Sequence, residues 1–185
     1  AKQSDMPIVG GETATLPDII KGNGEGFDLA GTCLGVVKKD KIISGEDIIP
    51  RDVVIGIASS GVHSNGLTLA RKALGEEDYP ELLIPTRIYV KQILDLIDNV
   101  KVKGMAHITG GGLLNLKRLK KGIGFELELP EPPLVFKKIM NTGVEIEEMY
   151  RTFNMGTGFM VIVSKEEKDR TLELLNKYYP SYVIG

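Results

Sequence analysis

Apolar residues in this chain fall in short blocks, and their spacing alternates between strand and helix patterns. Residues 53–58 are almost continuously apolar, the pattern of a strand buried on both faces of its sheet. Residues 67–74 follow with helical spacing. Apolar positions 90, 93, 94, 96 and 97 predict a helix within 88–97, starting after Pro85, Thr86 and Arg87. Residues 102–108 read as a strand and 113–119 as a short helix. The Phe/Glu/Leu/Glu/Leu alternation over 125–129 predicts a half-exposed strand. Pro132 and Pro133 open a helix that runs through Met140, because proline is tolerated in a first turn. A short helix over 145–150, a strand over 159–163, an amphipathic helix over 165–177 and the start of a strand at 182–184 complete the pattern. Upstream, residues 6–9 are extended, and 16–26 form a loop or linker with Pro17, Gly22, Gly24 and Gly26. Residues 29–37 form a strand of small side chains. Alternating elements of this kind predict an α/β or α+β layered domain, a mixed β-sheet flanked by helices.

Glycine marks the ends of these blocks. It accounts for 22 of 185 residues, above the usual ~7%, and it clusters rather than spreading as low complexity. Three stretches stand out: 59–66 (Ser-Ser-Gly-Val-His-Ser-Asn-Gly), 107–112 (His-Ile-Thr-Gly-Gly-Gly) and 152–158 (Thr-Phe-Asn-Met-Gly-Thr-Gly). Glycine lets the backbone approach a ligand closely, and the adjoining hydroxyls, amides and imidazoles supply donors for a phosphate or a ribose. A strand, a glycine turn and a helix start in succession also leave unpaired N–H groups that suit an anion. Together the three stretches suggest a polar, phosphorylated small molecule as ligand.

Charge and composition narrow the field. The formal net charge is −2 and 42% of residues are apolar, which fits a soluble globular chain without the basic face that nucleic acid requires. Cys33 stands alone, so an intrachain disulfide is excluded. Its place in an apolar run suggests a buried, inert thiol and a reducing cytoplasm. No run of ~18 apolar residues suggests a membrane span. With two histidines and one cysteine a zinc site is not expected, and the common phosphate-loop, dinucleotide and hydrolase motifs are absent.

Within the stretches, His63 sits at a strand-to-helix turn among small polar neighbours. Ser64 and Asn65 could cap the helix, bind an anion, or do both. His107 could be a buried imidazole bonded to a carbonyl or a ligand contact at a strand end. Three consecutive glycines at 110–112 are costly in conformational entropy and favour a functional turn. Glu12, between Gly11 and Thr13, could be a surface carboxylate, bind Mg²⁺ through oxygen or orient a substrate amine. Asn154 could form a local Asx turn or face a ligand.

The ordered set Gly-Gly-Glu-Thr-Ala (10–14), Asp-Leu-Ala-Gly (28–31), the 59–66 stretch, Pro-Thr-Arg-Ile-Tyr-Val (85–90), Ala-His-Ile-Thr-Gly-Gly-Gly (106–112) and Glu-Met-Tyr-Arg-Thr-Phe-Asn-Met-Gly-Thr-Gly (148–158) closely resembles the phosphoribosylformylglycinamidine cyclo-ligase family, or aminoimidazole ribonucleotide synthetases. The resemblance implies ATP-dependent ring closure of formylglycinamidine ribonucleotide to aminoimidazole ribonucleotide, with ADP and phosphate released. It also implies ATP and Mg²⁺ as cofactors, cytoplasmic purine biosynthesis, and a homodimer of the full-length protein without nucleic-acid or membrane partners. It implies that residues 1–27 are the tail of an N-terminal ATP-binding domain plus linker, and that 28–185 are the C-terminal α/β domain. On that basis the chain is expected to be a fragment that does not turn over alone. His63, Asn65 and Asn154 take catalytic roles in this resemblance. Gly10, Gly11, Glu12, Thr13, Ser60, Gly61, Ser64, Gly66, His107, Thr109, Gly110, Gly111 and Gly112 take substrate- or phosphate-binding roles, and no metal ligand is carried over. Formylglycinamidine ribonucleotide synthetase, selenophosphate synthetase, thiamine monophosphate kinase and a hydrogenase maturation protein share the loops more loosely. A non-catalytic nucleotide-binding module is the remaining alternative.

Overall fold

The computed structural model describes residues 1–16, 18–20 and 26–185, and these divide into two compact units, Ala1–Ile42 and Ile43–Gly185. The second unit holds a four-stranded sheet in the order β2-β3-β1-β4, with β1 Val53–Ala58, β2 Val102–His107, β3 Thr157–Val163 and β4 Ser181–Val183. Each described pairing is antiparallel, so the layered α+β expectation holds with an antiparallel rather than a mixed sheet. Six α-helices accompany it among the described residues: α1 Leu67–Ala73, α2 Tyr79–Leu82, α3 Val90–Asn99, α4 Leu134–Met140, α5 Ile146–Thr152 and α6 Lys168–Leu175.

Strand alternation sorts the core into layers, because successive side chains point to opposite faces. Ile55, Ile57, Val161 and Val163 pack on one face with Leu96 of α3 and Leu175 of α6. Val54, Met160 and Ile162 pack on the other with Ile108, Leu116 and Ile184. A third cluster joins Ala70 of α1, Phe136 and Ile139 of α4, and Met149 of α5 to Val62, Phe153 and Met155. That last cluster underpins two of the three glycine-rich stretches.

A buried ion pair fastens the sheet edge. Lys103 Nζ lies 2.5 Å from Asp52 Oδ1, with the two side chains 12% and 6% exposed, and Asp52 Oδ2 accepts the Ile49 N–H at 2.8 Å. Removing one partner strands the other charge. Lys103→Met is expected to cost about 1–2 kcal/mol, less than a fully buried pair because Asp52 keeps one donor. Urea denaturation of the variant measures this loss.

Several expectations are corrected. Residues 29–37 form no strand, and Leu34 and Val36 are 93% and 104% exposed. A strand is completed by a partner's backbone, and no described residue supplies one there. Cys33 is therefore exposed rather than buried. Residues 6–9, read as extended, pair with no strand among the described residues. Residues 125–129 make a single ladder-like bond, Glu128 N–H to Ile184 O at 2.7 Å, so they are not a strand either. Their alternation is still realised, since Phe125, Leu127 and Leu129 pack on the core. The helix expected over 113–119 is a 3₁₀ helix, Gly112–Arg118. Of the linker expected over 16–26, Pro17 and residues 21–25 lie outside the described residues. Among the described residues no helix is long and apolar enough to cross a membrane.

Candidate functional site

The antiparallel order explains how three distant stretches meet. β3 lies between β1 and β2 and runs opposite to both, so the ends of β1 and β2 and the start of β3 share one edge of the sheet. Loop 59–66 leaves β1 there, loop 108–112 leaves β2, and 153–156 leads into β3. Backbone bonds stitch them together: Ser59 N–H donates to Gly156 O at 2.8 Å, and Ile108 N–H to Gly158 O at 2.9 Å.

His63 is the centre of this edge. It is 5% exposed and holds a left-handed backbone with φ 63°. Such strain in a non-glycine residue persists only where the surroundings over-determine it. They do so from two sides. Asn154, 3% exposed, donates its amide to Gly61 O at 2.8 Å and Val62 O at 3.2 Å, while its carbonyl oxygen accepts the Gly156 N–H at 2.9 Å. From the other side comes the segment 85–89. Ser60 Oγ donates to Pro85 O at 2.7 Å, Ser64 and Thr86 share a hydroxyl bond at 3.0 Å, and both Arg87 Nη1 (2.9 Å) and Tyr89 Oη (3.1 Å) donate to Ala58 O. Asn154 is thus a brace whose amide is already spent on the backbone.

The same bonds assign the proton on His63. Ser60 N–H donates to Nε2 at 3.1 Å, so in the neutral ring the proton sits on Nδ1, which is buried without a partner. Burial, then the nearby His107 and Arg87, lower the His63 pKa to about 4. The ring is neutral at physiological pH. His107 stands at the exposed rim, its ring stacked on Phe159 with centroids 5.8 Å apart, and burial against its neighbours lowers its pKa too. Tyr89 lies 5.7 Å from His107 and 6.3 Å from His63 between ring centroids, and burial keeps it a protonated phenol. Gly158 makes room for this group: a Cβ there would strike Tyr89 Oη and come within 2.6 Å of His63 Cε1.

Folding stability carries the signature of this neutral imidazole. An unfolded histidine takes a proton near pH 6.5, whereas His63 does so only near 4. Between those values the unfolded chain binds the extra proton, so stability falls as pH drops from 6.5 to 4 and levels off below. Denaturant titrations near both ends of that window are expected to show a loss on the order of a few kcal/mol, reduced in His63→Gln.

The remaining candidates fall in different places. In the 107–112 stretch, Asn115 Nδ2 donates to Gly112 O at 2.7 Å and approaches Thr109 O and Gly110 O at 3.4 Å, which ties up the carbonyls of the turn. Asn65 faces Gly110, with its Oδ1 3.2 Å from where a Cβ would stand. Gly66 holds φ 76° at the start of α1. Ser60, Gly61, Ser64, Asn65, Gly66, His107 and residues 109–112 therefore share one edge with His63. Gly10, Gly11, Glu12 and Thr13 belong to the first unit, where Glu12 and Thr13 line a groove of about 500 Å³ with Asp28. Among the described residues no three His, Cys, Asp or Glu side chains gather as potential metal ligands.

Arg87, Tyr89 and Phe159 reach the site without having been singled out from the sequence. The Pro-Thr-Arg-Ile-Tyr-Val run was the available signal, and it reads locally as no more than a helix approach.

Comparison with known proteins identifies the family. Residues 50–185 match the family model described as AIR synthase related protein, C-terminal domain. The chain is 58% identical to a protein of Pyrococcus horikoshii, 55% to one of Pyrococcus furiosus and 50% to one of Methanocaldococcus jannaschii, each named phosphoribosylformylglycinamidine cyclo-ligase. Each alignment takes in the whole of this chain and 57% of the relative. The chain thus spans somewhat over half the length of these curated relatives.

Proposed function

The chain belongs to the AIR synthase related protein family, and from that premise we propose that it serves the ATP-dependent closure of an imidazole ring. In this reading formylglycinamidine ribonucleotide is the substrate, and aminoimidazole ribonucleotide, ADP and phosphate are the products, within purine biosynthesis. The formyl oxygen attacks the γ-phosphorus of ATP and ADP leaves. The substrate nitrogen then attacks the activated carbon, and phosphate departs with the former formyl oxygen.

One observation supports it above the rest: three glycine-rich stretches converge on a neutral, buried His63 whose Nδ1–H has no partner. Phosphoryl activation and ring closure need positioning and charge stabilisation more than a nucleophilic side chain. A buried N–H donor is a hydrogen bond waiting for an acceptor, and a substrate oxygen satisfies it once the turn opens to admit one. With the ring neutral, His63 acts as donor rather than as a cation. Residues 109–112, with Asn65 beside them, hold the 5′-phosphate through backbone N–H groups, and Asn154 holds the His63 turn in place. ATP, Mg²⁺ and a homodimer of the full-length protein belong to the same reading. Among the described residues no group of three or more His, Cys, Asp or Glu side chains gathers, and no step is assigned through Mg²⁺.

The intact gene product, given ATP, Mg²⁺ and formylglycinamidine ribonucleotide, is expected to form aminoimidazole ribonucleotide, followed by its aromatic amine. A folded protein that binds ATP and forms no product would overturn the reading.

A further inference from the structure

Arg87 is half-buried beside both histidines, and it pairs with no carboxylate among the described residues. Its orientation is nonetheless fixed. One Nη1–H is bound to Ala58 O at 2.9 Å, and its central carbon sits 4.5 Å above the Tyr179 ring. A guanidinium carries five N–H donors, so most of its fork remains uncommitted. Holding a cation partly out of water without an anion is unfavourable, and a pre-oriented fork loses little further entropy when an anion arrives.

The surroundings specify the anion. Arg87 lines a recess of about 440 Å³ with Ile88, Tyr89, Ile93, His107 and Phe159. The walls are mostly apolar, which strengthens a charge interaction at the rim. Beside the guanidinium stand the imidazoles of His63 and His107, both able to donate, and Tyr89, whose hydroxyl is already committed to Ala58 O; none of the residues lining the recess is a carboxylate. A planar fork among donors suits a group with several anionic oxygens.

The geometry points to Arg87 as the phosphoryl-binding residue of this recess, its free edge taking two oxygens of a phosphate group. The identity of that group rests on the ring-closing reading, in which it comes either from the ribose 5′-phosphate or from the nucleotide. The binding itself does not.

The test is calorimetric titration of the full-length protein with inorganic phosphate, ribose 5-phosphate and ADP. Wild type, Arg87→Gln and Tyr89→Phe are compared. Tyr89→Phe removes the other donor to Ala58 O and keeps the charge. Arg87→Gln is expected to weaken inorganic phosphate and one of the two larger ligands by roughly tenfold, with Tyr89→Phe within about twofold of wild type. Loss confined to ribose 5-phosphate assigns the ester phosphate, and loss confined to ADP assigns the nucleotide. Should the glutamine variant not fold, Arg87→Lys keeps the charge without the fork and is expected to weaken the same ligands by about threefold. Equal losses in Tyr89→Phe and Arg87→Gln, no change in Arg87→Gln, or no binding of any ligand to wild type would overturn the proposal. Phosphate binding that depends on Arg87 in a protein that forms no imidazole product would sink the ring-closing reading alone.

Discussion

His63→Ala in the full-length protein is expected to lower kcat by about 100-fold or more, the scale of a positioned donor lost from the transition state. Alanine also carries a structural cost. At φ 63° alanine is less readily tolerated than the histidine it replaces, and the Ser60 N–H loses its acceptor. His63→Asn separates the two effects, because asparagine tolerates that backbone region. It is expected to stay within about 1 kcal/mol of wild-type stability while losing activity on the same scale. A stable asparagine variant with near-wild-type turnover would make His63 a structural residue. The pH profile adds a check. Since His63 stays neutral down to about 4, turnover should show no acid limb from this group between pH 6 and 8.

The three consecutive glycines are expected to separate sharply on substitution. A Cβ on Gly112 would strike the carbonyl oxygen of Tyr150 and approach Arg151 O at 3.0 Å, at a φ of 52°. Backbone cannot swing aside as a flexible side chain does. Left-handed strain and overpacking together put Gly112→Ala at about 2–5 kcal/mol of lost stability. Gly110 has an ordinary backbone and meets only Asn65 Oδ1 at 3.2 Å, so Gly110→Ala is expected within about 1 kcal/mol of wild type. If the 109–112 turn holds a phosphate, Gly110→Ala still raises the KM for the phosphoribosyl substrate, because the methyl group intrudes where the ligand lies. Denaturation midpoints and KM values on the two variants test this division. A Gly112→Ala protein as stable as wild type would contradict the packing described here.

What could be read in the sequence follows from how local each signal is. β1 and β3 announced themselves as continuous apolar runs because both faces of the central strands are buried. α3 was legible because Ile93, Leu96 and Ile97 keep one face on the core. The 29–37 run carries the same local signal as a strand, yet strand formation is decided by a partner distant in sequence. The residues at 125–129 keep their alternation and lack a full ladder, since Gly124 and Pro130 bracket them and only Glu128 bonds across. α2, a single turn, has no period long enough to detect.

At the site, the three glycine-rich stretches were legible as a set, while their convergence depends on β3 running between β1 and β2. Asn154 was legible as a residue of interest, and its use as a brace emerges only from the carbonyls it reaches more than ninety positions upstream. Arg87 and Tyr89 lie in a run that contributes to the family resemblance, yet its local pattern only introduces a helix and gives them no role. Their role comes from Ala58 O, about thirty residues earlier.

The ring closure proposed at this edge of the sheet proceeds through transfer of a phosphoryl group to the formyl oxygen. The most direct measurement uses substrate carrying ¹⁸O in the formyl group, with the isotope content of the released phosphate read by mass spectrometry. One labelled oxygen is expected in each phosphate released with product, and the rate of labelled release is expected to collapse in His63→Asn. Product accompanied by unlabelled phosphate would contradict the phosphoryl route, and labelled phosphate at an undiminished rate in the variant would remove His63 from it.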